Sequence, residues 1–165
     1  MRFSDYIRER IFGPAGMKTA RADSVNDIIP QRARGYRKAP SGAIENCNLA
    51  DTSNKIPGGG MVSTPEDLVG FANAVMRGQL VKPETRDEMY TLAQTRDGKP
   101  VPYGLGWQIQ ETAGQKWVSH TGAQQGISTL LVTLPAESFS VALMVNLERV
   151  VLNPLALRIA EIVLR

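Results

Sequence analysis

The sequence has a single cysteine and a single histidine among its 165 residues. Cys47 has no partner for an internal disulfide, and Cys47 with His120 is too small a set for a structural zinc site. Cys47 itself reads as a bystander in a loop, because no base stands beside it in sequence to favour the thiolate. Long apolar runs are missing too. None approaches the roughly 18–20 residues that a membrane-spanning helix needs, so no span is expected. Met1-Arg2-Phe3-Ser4-Asp5-Tyr6 also lacks the apolar stretch that follows the basic start of a secretory signal. The expectation is a chain that is either not exported or not the whole protein.

What is present suits a folded domain. Hydrophobic residues make up 42% and charged residues 21%, enough apolar volume for a core and too little charge for a disordered chain. The net charge of +3 conceals an asymmetry. Residues 1–40 hold nine Lys/Arg against four Asp/Glu, residues 41–100 six against eight, and the remainder four of each. The cluster Arg32, Arg34, Arg37 and Lys38 raises nucleic-acid binding as one reading. It holds one aromatic, Tyr36, with neither a recognition helix nor a stacking platform around it. A solvated basic loop is the better reading, and no nucleic-acid partner is expected.

Residues 3–12 place Phe3, Tyr6, Ile7 and Ile11 on one helical face that ends at Gly13-Pro14. Residues 18–60 lack a sustained period and close in a sharp turn at Pro57-Gly58-Gly59-Gly60. Thr64 as N-cap, Pro65 at the first helical position, and Glu66 and Asp67 near the positive helix start predict the next helix. Its apolar stripe is Leu68, Phe71, Ala72, Val75 and Met76, and Gly78 stops it. Pro83 opens a shorter helix through Tyr90. After Pro102 the pattern turns to strands, at residues 103–110, 116–120, 126–134 and 139–146. The last two are apolar on both faces and need cover on both. Asn153-Pro154 caps a final helix with Leu155, Ile159, Ile162 and Val163 inward, which covers one face. The other cover has to come from elsewhere in this chain or from a part outside it.

Three segments, in order, carry a resemblance. The first is Tyr6-Ile7-Arg8-Glu9-Arg10-Ile11-Phe12-Gly13-Pro14-Ala15-Gly16-Met17. The second is Pro57-Gly58-Gly59-Gly60-Met61-Val62-Ser63-Thr64-Pro65-Glu66-Asp67-Leu68. The third joins Tyr103-Gly104-Leu105-Gly106-Trp107 to His120-Thr121-Gly122 and Gly126. Together they resemble the serine β-lactamase and penicillin-binding-protein-like hydrolases, in the class C and esterase-like branch. The resemblance implies an α+β fold in which residues 1–165 form the C-terminal part of a β-lactamase/transpeptidase-like domain. Residues 1–100 would be part of its helical and loop region, and residues 101–165 its antiparallel sheet and C-terminal helix. His-Thr-Gly lies where the family has Lys-Thr-Gly, on a strand edging the active site. By that resemblance His120 is the catalytic-site residue of this chain, and Thr121, Gly122 and Ala123 bind substrate. The Ala123 N–H would help to hold the oxyanion of an acyl-serine reaction, a contribution worth several kcal/mol in such sites. Gly122 would leave room for the acyl group. Unlike lysine, a histidine near its ordinary pKa of about 6.5 is mostly neutral at pH 7, so recognition of a β-lactam carboxylate loses weight against an esterase or peptidase-like specificity.

The family nucleophile stands in Ser-x-x-Lys, where the lysine activates the serine. No serine of this chain has a lysine three residues later, no Tyr-x-Asn occurs, and no Gly-x-Ser-x-Gly elbow offers another nucleophile. Ser24-Val25-Asn26 has the form Ser-x-Asn but follows the helix and turn that it should precede. The expected function is therefore the C-terminal portion of an acyl-serine hydrolase for a β-lactam, ester or peptide amide, inactive by itself. The alternative is a non-catalytic interaction or ligand-binding module on the same fold. No cofactor or metal is implied. The expected partners are the rest of the fold or a second copy, with a small-molecule substrate only when the site is complete. By the same resemblance an exported full-length protein would be periplasmic or extracellular.

Overall fold

The computed structural model describes residues 1–112 and 114–165. It opens with α1 (Phe3–Ile7), which continues through Arg8–Phe12 as a wider π-type turn closed by Gly13 N–H on the Arg8 carbonyl at 2.9 Å. Residues 3–12 are thus helical as expected, but the inward face differs. The wide turn adds a residue to the register, so Phe12 goes in with Ile7 while Ile11 stays at the margin. Phe3 and Tyr6 stand 47% and 53% exposed.

The aperiodic stretch is built from very short pieces. β1 (Arg21–Ala22), β2 (Tyr36–Lys38) and β3 (Ile44–Asn46) come first, then the single helical turn α2 (Ile56–Gly59) and β4 (Met61–Val62). β1 pairs with β4 and β2 with β3, both antiparallel. The longer α3 (Pro65–Met76) starts where the sequence placed it, with Thr64 Oγ1 accepting the Asp67 N–H at 3.3 Å. α4 (Pro83–Met89) and the small ladder of β5 (Ala93–Gln94) with β6 (Pro100–Val101) lead to the main sheet.

That sheet is an antiparallel meander of β7 (Gln108–Thr112), β8 (Gln115–Gln124), β9 (Ile127–Leu134) and β10 (Phe139–Val145), in the spatial order β10-β9-β8-β7. Two strand boundaries move from the sequence reading. The strand expected at 103–110 begins only at Gln108, because Gly104 N–H bonds the Trp107 carbonyl at 2.7 Å and folds residues 104–107 into a turn. The strand expected at 116–120 runs on to Gln124, so His-Thr-Gly lies wholly inside it.

Both faces of β9 and β10 are covered, and both covers belong to this chain. On one side Trp117, Leu130, Val132, Leu134 and Val141 pack with Leu152, Ala156 and Ala160 around α5 (Asn153–Val163). On the other, Val118, Leu131 and Ile109 pack with Ala72 and Val75 of α3, Tyr90 and Trp107. The second cover is therefore α3 itself. α5 also departs from its expected face: small Ala156 and Ala160, four apart, approach the sheet, while Leu155, Ile162 and Val163 are 50%, 59% and 58% exposed. Ile159 alone of the four expected inward residues packs against the core. Leu152, not Asn153, is the N-cap, with no side-chain cap bond. Among the described residues no helix is long and apolar enough to cross a membrane.

Candidate active site

The β7–β8 ladder stops at Gln108↔Ser119, whereas the β8–β9 ladder continues to Gln124↔Ile127. Residues 120–124 thus have a strand partner on one side only. Alternate N–H and C=O groups there face out of the ladder, the backbone row that an oxyanion or a substrate backbone can use. Along this stretch His120, Thr121 and Ala123 are exposed and Gly122 is half-buried, so the four expected site residues stand together on an open strand end.

Gly122 has a local reason to be glycine. A Cβ there would collide with Oγ1 of Thr129, its cross-strand partner on β9. Thr129 Oγ1 thus stands where a side chain at this position would begin. The turn after β8 is equally tight: a Cβ on Gly126 would lie 2.6 Å from the Gly35 Cα, so the basic loop lies directly on the β8–β9 turn. The glycine turn at 57–60 also reaches this end of β8, where the Gln124 amide donates to the Gly58 carbonyl at 3.5 Å.

Tyr103, which opens the third resembling segment, enters the site in a role the sequence did not assign it. Its hydroxyl is 2.8 Å from His120 Nε2, and the rings meet edge-on with centroids 6.0 Å apart. His120 Nδ1 lies 2.7 Å from the Thr121 carbonyl oxygen. A pairing across 17 positions depends on the 104–107 turn folding Tyr103 back beside the end of β7, where it bridges Gln108. That turn is anchored by Trp107, 4% exposed, stacked on Phe71 at 6.3 Å and met edge-on by Tyr90 at 5.7 Å. Burial pushes the Tyr90 hydroxyl up to about 12, although Arg86 works in the opposite direction, so it stays a neutral phenol behind the site.

Two buried carboxylates hold the loops around the strand end. Asp67 accepts from the Lys18 N–H and the Thr19 N–H, each at 2.9 Å, and from the Thr19 hydroxyl at 2.5 Å. Burial raises its pKa, but the Thr19 hydroxyl and then the backbone N–H groups of Thr19, Lys18 and Ala20 outweigh it, and the carboxyl sits below its ordinary range. Asp23 accepts from Arg32 at 2.8 Å and from the Thr52 hydroxyl at 2.9 Å. Arg37 pairs with Glu45 at 2.7 Å, so two of the four basic-loop cations serve internal ion pairs. Ser24 Oγ accepts the Asn26 N–H at 3.2 Å, a local turn bond and no catalytic contact. Cys47 is buried, its N–H on the Gly35 carbonyl at 3.0 Å.

A meander sheet between helices, with His-Thr-Gly on an open strand end, is the sheet half of a penicillin-binding-protein-like fold. Residues 1–164 match the family model described as Beta-lactamase, and the chain belongs to that family. It is 30% identical over 201 aligned positions to the mouse (Mus musculus) serine beta-lactamase-like protein LACTB, mitochondrial, covering 96% of this chain and 36% of that protein. The chain thus spans little more than a third of that relative. The D-amino acid amidase from Ochrobactrum anthropi SV3 superposes with a TM-score of 0.75 at 25% identity, over 98% of this chain and 51% of its own. The octameric penicillin-binding protein homologue from Pyrococcus abyssi gives a TM-score of 0.79 at 21% identity, over 99% of this chain and 38% of its own.

Proposed function

We propose that this chain forms the strand wall of an acyl-serine hydrolase cleft, and that the nucleophile comes from sequence outside these 165 residues. The observation that carries the reading is the unpartnered end of β8, where His120, Thr121 and Ala123 are exposed beside a pinned tyrosine. In this reading the Ala123 N–H supports the oxyanion, the Thr121 hydroxyl bonds a polar group of the substrate, and His120 faces the reacting centre. Gly122 keeps the strand flat against Thr129. The substrate is an ester or an amide, because histidine supplies no permanent cation for a β-lactam carboxylate. The amidase likeness fits that class.

The test is acylation by a fluorophosphonate or penicillin probe, with turnover of nitrocefin and p-nitrophenyl esters. The chain alone is expected to remain unlabelled and to show no turnover above a histidine-only background. Strand groups without an activated serine give only residual rates. Joined to an upstream Ser-x-x-Lys segment of its own gene, it is expected to label stoichiometrically. Serine labelling of the chain alone, with turnover surviving His120→Ala, overturns the division of labour. An extended protein that never labels leaves the non-catalytic binding module as the function.

A further inference from the structure

We infer that Tyr103 is a positioning residue that holds His120 in the Nδ1–H tautomer. The Thr121 carbonyl oxygen, 2.7 Å from Nδ1, can only accept, so Nδ1 must carry a proton. In the neutral ring Nε2 is then the bare lone pair, and the Tyr103 hydroxyl 2.8 Å away is its donor. The Thr121 carbonyl admits only this tautomer, and the Tyr103 hydroxyl, which can donate or accept, adds its donation to the Nε2 lone pair. Tyr103 is suited to this because its backbone is fixed from both sides. Its N–H bonds the Val101 carbonyl at 2.7 Å, and its carbonyl accepts the Ala93 N–H at 2.8 Å. Its hydroxyl therefore waits at Nε2 and does not search for it. The consequence is that Nε2 is capped. Its lone pair meets a substrate only through the Tyr103 oxygen, so the unit on the open strand end is the phenol–imidazole pair. That the pair lines a substrate cleft rests on the hydrolase reading above; the tautomer itself does not.

His120 is the only histidine, so its ring nitrogens can be read without assignment in a long-range 1H–15N spectrum of the 15N-labelled chain. At a pH where the ring is neutral, the expected spectrum is that of a predominantly Nδ1–H imidazole. In Tyr103→Phe, which removes only the hydroxyl, the Nδ1–H to Nε2–H ratio is expected to fall roughly 2- to 10-fold, the weight of one lost hydrogen bond. A wild-type ring that is mainly Nε2–H overturns the inference, whether or not the variant folds. So does an unchanged ratio in a Tyr103→Phe protein whose amide spectrum stays native. Failure of the hydrolase reading appears as absent acylation and leaves this spectrum as it is, so the two can fail separately.

Discussion

At the scale of single residues, the site is shaped as much by cross-strand neighbours as by its own side chains. Gly122 shows this most directly, since Thr129 Oγ1 occupies the direction in which a Cβ would point. Gly122→Ala is expected to force Thr129 off its rotamer at a cost of about 1 kcal/mol. Thr129→Ala in the same chain should return most of that loss. Urea unfolding of the two single variants and the double variant measures the coupling. Additive effects would mean that the strand accommodates the methyl group elsewhere. The resemblance put His120, Thr121 and Gly122 on one strand, whereas the strand pattern itself ended at His120. Tyr103 stood in the resembling segment, but neither its contact with His120 nor the part of Thr129 was legible, since a contact across β8–β9 requires the register, and Tyr103 reaches His120 only through a turn that breaks the expected strand.

At the scale of elements, local chemistry was legible and packing was not. α3 was readable because Thr64, Pro65 and Gly78 each act within a few residues of the helix end. The ladders within residues 21–62 were not, for two or three paired residues leave no period to detect. α5 misled because the sequence reading sent its large residues inward, whereas closest approach to the sheet selects the alanines. Asp67 was read as a helix-start charge; it is also the tie between α3 and the turn at 17–20. Its folded pKa is lowered, so its stabilisation is fully present above the ordinary carboxylate value of about 3.9 and is lost as pH falls through the folded value. Asp67→Asn is expected to cost about 1–3 kcal/mol at pH 7, because charge-assisted bonds and buried donors are left weakened. The gap from wild type should close as pH drops below about 4. Chemical denaturation of both proteins from pH 7 to pH 3 is the measurement. A gap independent of pH would assign the loss to packing and not to the carboxylate.

At the scale of the molecule, the question is which exposed surface of the chain drives association in solution. With α3 over one face of the sheet and α5 over the other, no sheet face is bare, which limits what association can gain. The outer side of α5 offers Leu155, Ile162 and Val163, each roughly half exposed. Burying what remains of each contributes on the order of 1 kcal/mol, against an association cost of about 4 kcal/mol or more. Over two copies that is about 6 kcal/mol, within the roughly 4–15 kcal/mol range of the cost, so that face alone supports only weak association. β10 is different. Along Phe139–Val145 it is an edge of the sheet with β9 on one side only, Tyr36 pairing with the chain just beyond it at Asn146 and Glu148, and its seven residues, Phe-Ser-Val-Ala-Leu-Met-Val, contain neither a charge nor a proline. Folded proteins blunt such edges with lysine, proline or a covering segment, because a bare row of N–H and C=O groups pairs with any other strand. Backbone pairing added to apolar contact takes the total past the association cost, so the chain is expected to associate through β10 as its concentration rises into the tens of micromolar. Met144 is the place to test it. It is half-buried and belongs to neither sheet core, so Met144→Lys adds a gatekeeper charge at little cost to the fold. Light scattering should show wild-type mass growing with concentration and the Met144→Lys chain remaining a monomer. Ile162→Lys on α5 should leave the association almost unchanged. A wild type that is monomeric at about ten times that concentration, or that loses association through Ile162→Lys instead, would move the sticky surface away from the sheet edge.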